Sequence, residues 1–179
     1  MQLELEEIKM KSIGYMSWVV PGLLLGLSSA QAADLSAQDE WMIKAEIKHL
    51  VDTYAMARDN LDAVAYANTF TENGTLIIGG QPYTGRDVLQ ARVEGANQES
   101  VGMHMMSTSD ITVIDENNAT GIHYATVYGA IPGDDHPEGD PIEVAGFVAQ
   151  GKYFDKYERT DEGWRISERR FERIYLQSQ

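Results

Sequence analysis

The sequence predicts an α+β domain in which three helices precede and pack on a strongly bent, mostly antiparallel sheet. Two observations carry that expectation. Helix-period apolar spacing dominates residues 38–98, and four long strand-like runs joined by hairpin turns occupy residues 103–174. Helices segregated from a meandering sheet define the α+β class.

Ser36 followed by Asp39 reads as a helix start. Ile43, Ile47, Leu50, Val51 and Tyr54 then recur at helical spacing to about Arg58, with Glu40 placed to pair with Lys44. A short second helix is expected over Leu61–Thr69. Glu72-Asn73-Gly74 supplies a turn, and Thr75–Ile78 a short strand. Gly79-Gly80 and Pro82 break the chain before a third helix, Arg86–Gln98, that packs through Val88, Leu89, Arg92 and Val93. The long strands are expected at Met103–Ile114, His123–Ala130, Ile142–Tyr157 and Trp164–Ile174, with turns at residues 115–118 and 160–163. The Gly-, Pro- and acid-rich segment Ile131–Pro141 is a long loop.

The 179 residues carry a formal charge of -14. That disfavours a nucleic-acid binder, which needs a basic face, and an anionic membrane surface as partner. No cysteine is present, which excludes disulfides, thiolate nucleophiles and cysteine-ligated zinc. At the N-terminus, Met10-Lys11 opens a basic start, Trp18–Leu27 is apolar, and Ala30-Gln31-Ala32 matches a cleavage pattern. Residues 1–32 therefore read as a signal peptide, with translation starting at Met10, and residues 33–179 as the mature domain. The expected location is periplasmic or secreted.

The Tyr83-Thr84-Gly85-Arg86 turn and the ending Lys152-Tyr153-Phe154-Asp155-Lys156-Tyr157…Gly163-Trp164-Arg165-Ile166 resemble the SnoaL-like branch of the nuclear-transport-factor-2-like (NTF2-like) superfamily. The resemblance covers about residues 38–176. Within that branch the chain is similar to scytalone dehydratase, the bile-acid 7α-dehydratases and hexachlorocyclohexane dehydrochlorinase. It implies a cone-shaped, cystatin-like fold with a deep pocket between sheet and helix, and a homo-oligomer, with a trimer favoured.

It also implies a site. Asp59 stands where these lyases carry an acid, and His104 where they place a catalytic histidine. Tyr54 occupies a polar functional position, and His123 resembles a second active-site histidine. A histidine held by a carboxylate has a fixed tautomer and raised basicity, which suits proton abstraction from carbon. Tyr54 and His123 would polarise a carbonyl or protonate a departing hydroxyl. Phe147, Ala149, Gly151 and Tyr153 share a strand face that the resemblance assigns to the pocket. Arg169 and Arg170 are both candidates for a pocket-mouth arginine, and parity does not choose between them. The methionines around His104 are read as core packing.

The expected function is a cofactor-independent lyase, a dehydratase that removes water from a small apolar hydroxylated substrate, cyclic or polycyclic and best matched by a hydroxysteroid or bile acid. An isomerase or cyclase on the same fold, or a non-catalytic exported ligand-binding module, are the alternatives. No metal site is expected: His136 among Asp134, Asp135, Glu138 and Asp140 fits no metal-binding spacing.

Overall fold

A computed structural model describes residues 35–175. The signal-peptide expectation for residues 1–32 lies outside the described residues. Helix α1 (Ala37–Asp59) starts at Ser36, whose hydroxyl accepts from the Asp39 amide at 3.1 Å. Capping of this kind is worth about 1 kcal/mol. Its buried stripe is Ile43, Ile47, Leu50, Val51, Tyr54 and Ala57, and each large member contributes about 1.5–3 kcal/mol of apolar burial. The polar face pairs Glu40 with Lys44 and Lys48 with Asp52.

Helix α2 (Ala63–Asn68) follows an Asp62 cap. Strand β1 (Phe70–Ile78) is longer than expected and turns at Gly79-Gly80 into β2 (Gln81–Thr84), a strand absent from the expected set. Both glycines have φ above zero, +60° and +81°, so they form a hairpin turn and not a mere chain break. Helix α3 (Arg86–Glu94) buries Leu89 and Val93; Val88 is exposed, and Arg92 lies over the Tyr83 ring at 4.6 Å.

Strands β3 (Val101–Val113), β4 (Asn118–Ala130), β5 (Ala149–Thr160) and β6 (Gly163–Tyr175) form an antiparallel meander, and β6 pairs parallel with β1. The sheet order is β2-β1-β6-β5-β4-β3, leaving β2 and β3 at the edges. Strand β5 begins seven residues later than the sequence implies. Its first ladder partner is Val127, near the end of β4, so most of residues 142–148 lies beyond the end of the ladder.

Register defines a face of the sheet turned toward α1. His104, Val127 and Ala149 form one row across it; Ala125, Gly151 and Arg173 follow, then Ser109, His123, Tyr153 and Phe171, then Asp155 and Arg169. On the opposite face Met103 and Met105 are 59% and 52% exposed and are not core, whereas Met106 packs against the core. The core gathers the α1 stripe with Tyr66, Phe70, Leu76, Tyr153, Tyr157, Trp164 and Ile166.

Candidate functional site

Asp59 is the last residue of α1, and His104 lies near the start of β3. The carboxylate spans two groups of that residue. Its Oδ2 accepts the His104 backbone N–H at 2.7 Å, and its Oδ1 lies 2.5 Å from Nδ1. An ionised carboxylate only accepts, so Nδ1 carries the proton and Nε2 presents its lone pair. Nε2 has no partner among the described residues. Both side chains are mostly buried, 16% and 13% exposed. Gly102 keeps the approach open: a Cβ there would stand 3.3 Å from Asp59 Oδ1.

Tyr54 and His123 are not beside this pair. His123 lies two rows below His104, a strand distance of roughly 13 Å over four residues. It is fully buried, and both ring nitrogens are engaged, Nδ1 with Ser109 Oγ at 2.8 Å and Nε2 with Tyr157 Oη at 2.7 Å. Tyr157 donates to Asp155 at 2.6 Å, and Asp155 accepts from Arg169 Nε and Nη2 at 2.9 and 2.6 Å. The directions follow from the end of the chain. Asp155 can only accept, so Tyr157 donates to it and receives Nε2–H from His123, whose Nδ1 then accepts from Ser109.

Burial lowers the His123 pKa to about 4, opposed in part by Asp155, so the ring is neutral at physiological pH. Burial raises the phenols of Tyr157, Tyr153 and Tyr66 well above their usual range. Burial alone would lower the Arg169 pKa, but the Asp155 carboxylate holds the guanidinium firmly protonated. Tyr54 belongs to this interior group: its ring lies 4.0 Å from the Arg169 guanidinium, and its hydroxyl is 3.4 Å from that of Tyr66.

The substrate-wall expectations divide similarly. Phe147 precedes β5 in irregular chain, and Ala149 opens the strand. Gly151 sits at a bulge where a Cβ would lie 2.0 Å from the Glu172 carbonyl oxygen, so backbone proximity requires glycine there. Tyr153 is packed against Phe171 and Tyr54, a filled interior and not an open wall. Neither expected arginine lies at the mouth. Arg169 is fully buried, and Arg170 lies on the opposite face over Phe154, paired with Glu172. Arg173, opposite Gly151 in the row next to His104, is the arginine at that level.

Sequence reasoning also passed over Asp155 and Ser109. The readable signal for Asp155 was its parity: Gly151, Tyr153, Asp155 and Tyr157 alternate on one face, and a carboxylate among buried aromatics needs a partner. The cleft beside Arg159 and Trp164 and the cleft beside Trp41 and Lys48 are not lined by Asp59 or His104. Among the described residues no three His, Asp or Glu side chains converge as metal ligands.

The sequence profile of the SnoaL-like domain matches residues 39–170. The chain belongs to the SnoaL-like family. No curated protein matches this SnoaL-like chain in sequence. Its solved neighbours share the fold at low identity. A protein assigned as a scytalone dehydratase from Novosphingobium aromaticivorans superposes with a TM-score of 0.66 at 18% identity, covering 78% of this chain and 89% of that one. An NTF2-like protein with a cystatin-like fold from the same organism gives 0.63 at 20%, covering 76% and 85%. A type 2 hexachlorocyclohexane dehydrochlorinase gives 0.62 at 16%, covering 78% and 90%. The fold is thus NTF2-like, and it hosts elimination enzymes as well as non-catalytic members.

Proposed function

We propose that this SnoaL-like domain is a cofactor-independent dehydratase with His104 as its base. The observation that carries the reading is the Asp59 carboxylate bridging Nδ1 and the backbone N–H of His104, which leaves Nε2 unpartnered as a fixed lone pair. Nε2 removes a proton from the carbon next to a carbonyl. The C–O bond to the neighbouring hydroxyl then breaks as the C=C bond forms, and water leaves with the proton returned from the imidazolium. Asp59 stabilises that imidazolium throughout. A single group acting as base and then acid suits a site where Tyr54 and His123 are engaged elsewhere.

The substrate we propose is a hydroxylated cyclic or polycyclic ketone, best matched by a hydroxysteroid or bile acid. Arg173, at the level of His104, would meet an acidic tail. The family's elimination enzymes support the reaction class and leave the substrate open. The engagement of the second acid candidates also favours an isomerase reading, in which the same histidine moves a proton without loss of water. We further propose export, from the Met10–Ala32 pattern, and a homo-oligomer, trimer favoured, through the sheet face that exposes Met103, Met105 and Tyr124.

Mass spectrometry of wild type and His104→Ala with a panel of hydroxysteroids and hydroxyketones tests the proposal. Loss of water abolished in the variant supports the dehydratase. A product of unchanged mass points to the isomerase. Turnover unaffected in His104→Ala removes His104 from the chemistry.

A further inference from the structure

Near the middle of α1, the helix and the β5–β6 hairpin border a cleft of about 570 Å³. Glu46, His49 and Leu50 of α1 form one side; Arg159, Trp164 and Arg165 of the hairpin form another. Asn68 and Thr69 at the end of α2 complete its wall. The site stands about 9–20 Å along the helix from Asp59, so it is separate from the proposed base.

Several cations among the described residues are matched: Lys44 with Glu40, Lys48 with Asp52, Lys156 with Glu168 and Arg86 with Glu162. Arg159 has no acceptor for its guanidinium among the described residues. Arg165 gives Nη1 to the Trp164 carbonyl at 2.8 Å, while its buried Nε makes no hydrogen bond and pairs only at 3.8 Å with Glu162, which Arg86 engages more closely. The Trp164 indole N–H is likewise buried and without an acceptor, in a side chain only 4% exposed. A buried donor without a partner costs about 1–3 kcal/mol, and here two such donors occur in adjacent residues of one cleft wall. Glu46, the only carboxylate in the wall, makes no ion pair with either arginine among the described residues.

Beside the two arginines, Leu50, Ala65 and the Trp164 ring form an apolar part of the lining, and Thr53, Asn68 and Thr69 a neutral polar part. The negative charge elsewhere on the chain is screened over about 8 Å at physiological ionic strength. We propose that this cleft binds a small organic carboxylate, its oxygens on Arg159 and Arg165 and its apolar body against Leu50 and Trp164. A planar carboxylate matches the fork geometry of arginine, and a volume of this size suits a one- or two-ring ligand.

Titration of benzoate and, separately, inorganic phosphate into the ¹⁵N-labelled full chain tests this. The three indole N–H resonances of Trp18, Trp41 and Trp164 are assigned through Trp18→Phe and Trp41→Phe. Benzoate is expected to move the Trp164 resonance saturably, with Kd of about 1 mM or tighter, and to leave Trp41 in place. Arg159→Gln and Arg165→Gln should each weaken that binding by about 10-fold or more. Arg165→Lys, which keeps the charge but loses the fork, should weaken it less than Arg165→Gln. No movement of Trp164 with benzoate overturns the proposal, as does binding that both arginine variants retain unchanged. An equal response to phosphate overturns the assignment of an organic carboxylate.

Discussion

Acidification should destabilise this domain through one buried imidazole, and the size of the effect can be worked from its surroundings. His123 is enclosed by Tyr157 and Asp155 of β5, Arg169 of β6, Ser109 of β3, and the Lys48–Asp52 pair on α1. Burial brings its pKa from 6.5 to about 4. Above pH 7 the ring is neutral whether the chain is folded or not, and it contributes nothing. As the pH falls through 6.5 the unfolded chain takes up a proton that the folded chain refuses, so stability falls. The deficit levels off near pH 4 at about 3 kcal/mol, at 1.36 kcal/mol per pH unit. At about pH 4.5 it amounts to ~2.5 kcal/mol.

Urea unfolding at about pH 7.5 and pH 4.5 measures this directly when wild type is compared with His123→Gln, which keeps a polar group but cannot titrate. The carboxylates that protonate in this range are common to both proteins and cancel. The wild type should lose about 2.5 kcal/mol more than the variant between the two conditions. Equal losses in the two proteins would refute the inference that His123 is held neutral by burial.

Four further expectations follow from the same structure. Arg169→Met leaves Asp155 buried without its cation and should cost about 3–5 kcal/mol in urea unfolding, whereas adding Asp155→Leu should recover part of that loss. Gly121→Ala sets a methyl 2.7 Å from His123 Nε2 and 3.1 Å from the Tyr157 ring; the expected penalty is about 1–3 kcal/mol by the same assay. Asp59→Asn should lower turnover of the proposed substrate by about 10²–10⁴-fold, and a change in KM alone would assign Asp59 to binding instead. Met103→Glu with Met105→Lys should reduce the mass seen by light scattering to that of one chain, and a mass unaltered by both charges would place any self-association elsewhere.

The elements that sequence periodicity located were those whose burial is one-sided. Helix α1 shows this well, because Ile43 to Tyr54 recur on one face and the Ser36 cap is local chemistry. The β1–β2 hairpin was harder to see. Pro82 argues against a strand unless the strand is an edge, and edge position is a property of the whole sheet. The start of β5 depends in the same way on where β4 ends. For the site, Asp59 and His104 were nominated by resemblance, and their contact depends on α1 ending beside the edge strand. The separation of His123 from them was not legible, because strand parity tells which face a residue takes and not which row. Arg169 and Arg170 show the limit of parity from the other side: the bulges in β5–β6 pairing decide which arginine turns inward.

Strand β3 has a neighbour on only one side, and on its open side the His104 amide is met by the Asp59 carboxylate. A side chain from a helix thus occupies the place where the carbonyl of another strand would lie. Unsatisfied edges invite other chains to pair with them. Asp59 therefore guards the border of the sheet as well as orienting an imidazole. A lineage that abandoned the chemistry would still have reason to keep an acceptor at the end of α1, so an acid retained at that position is poor evidence that a relative is an enzyme. The imidazole beside it, which the edge does not need, is the more telling residue.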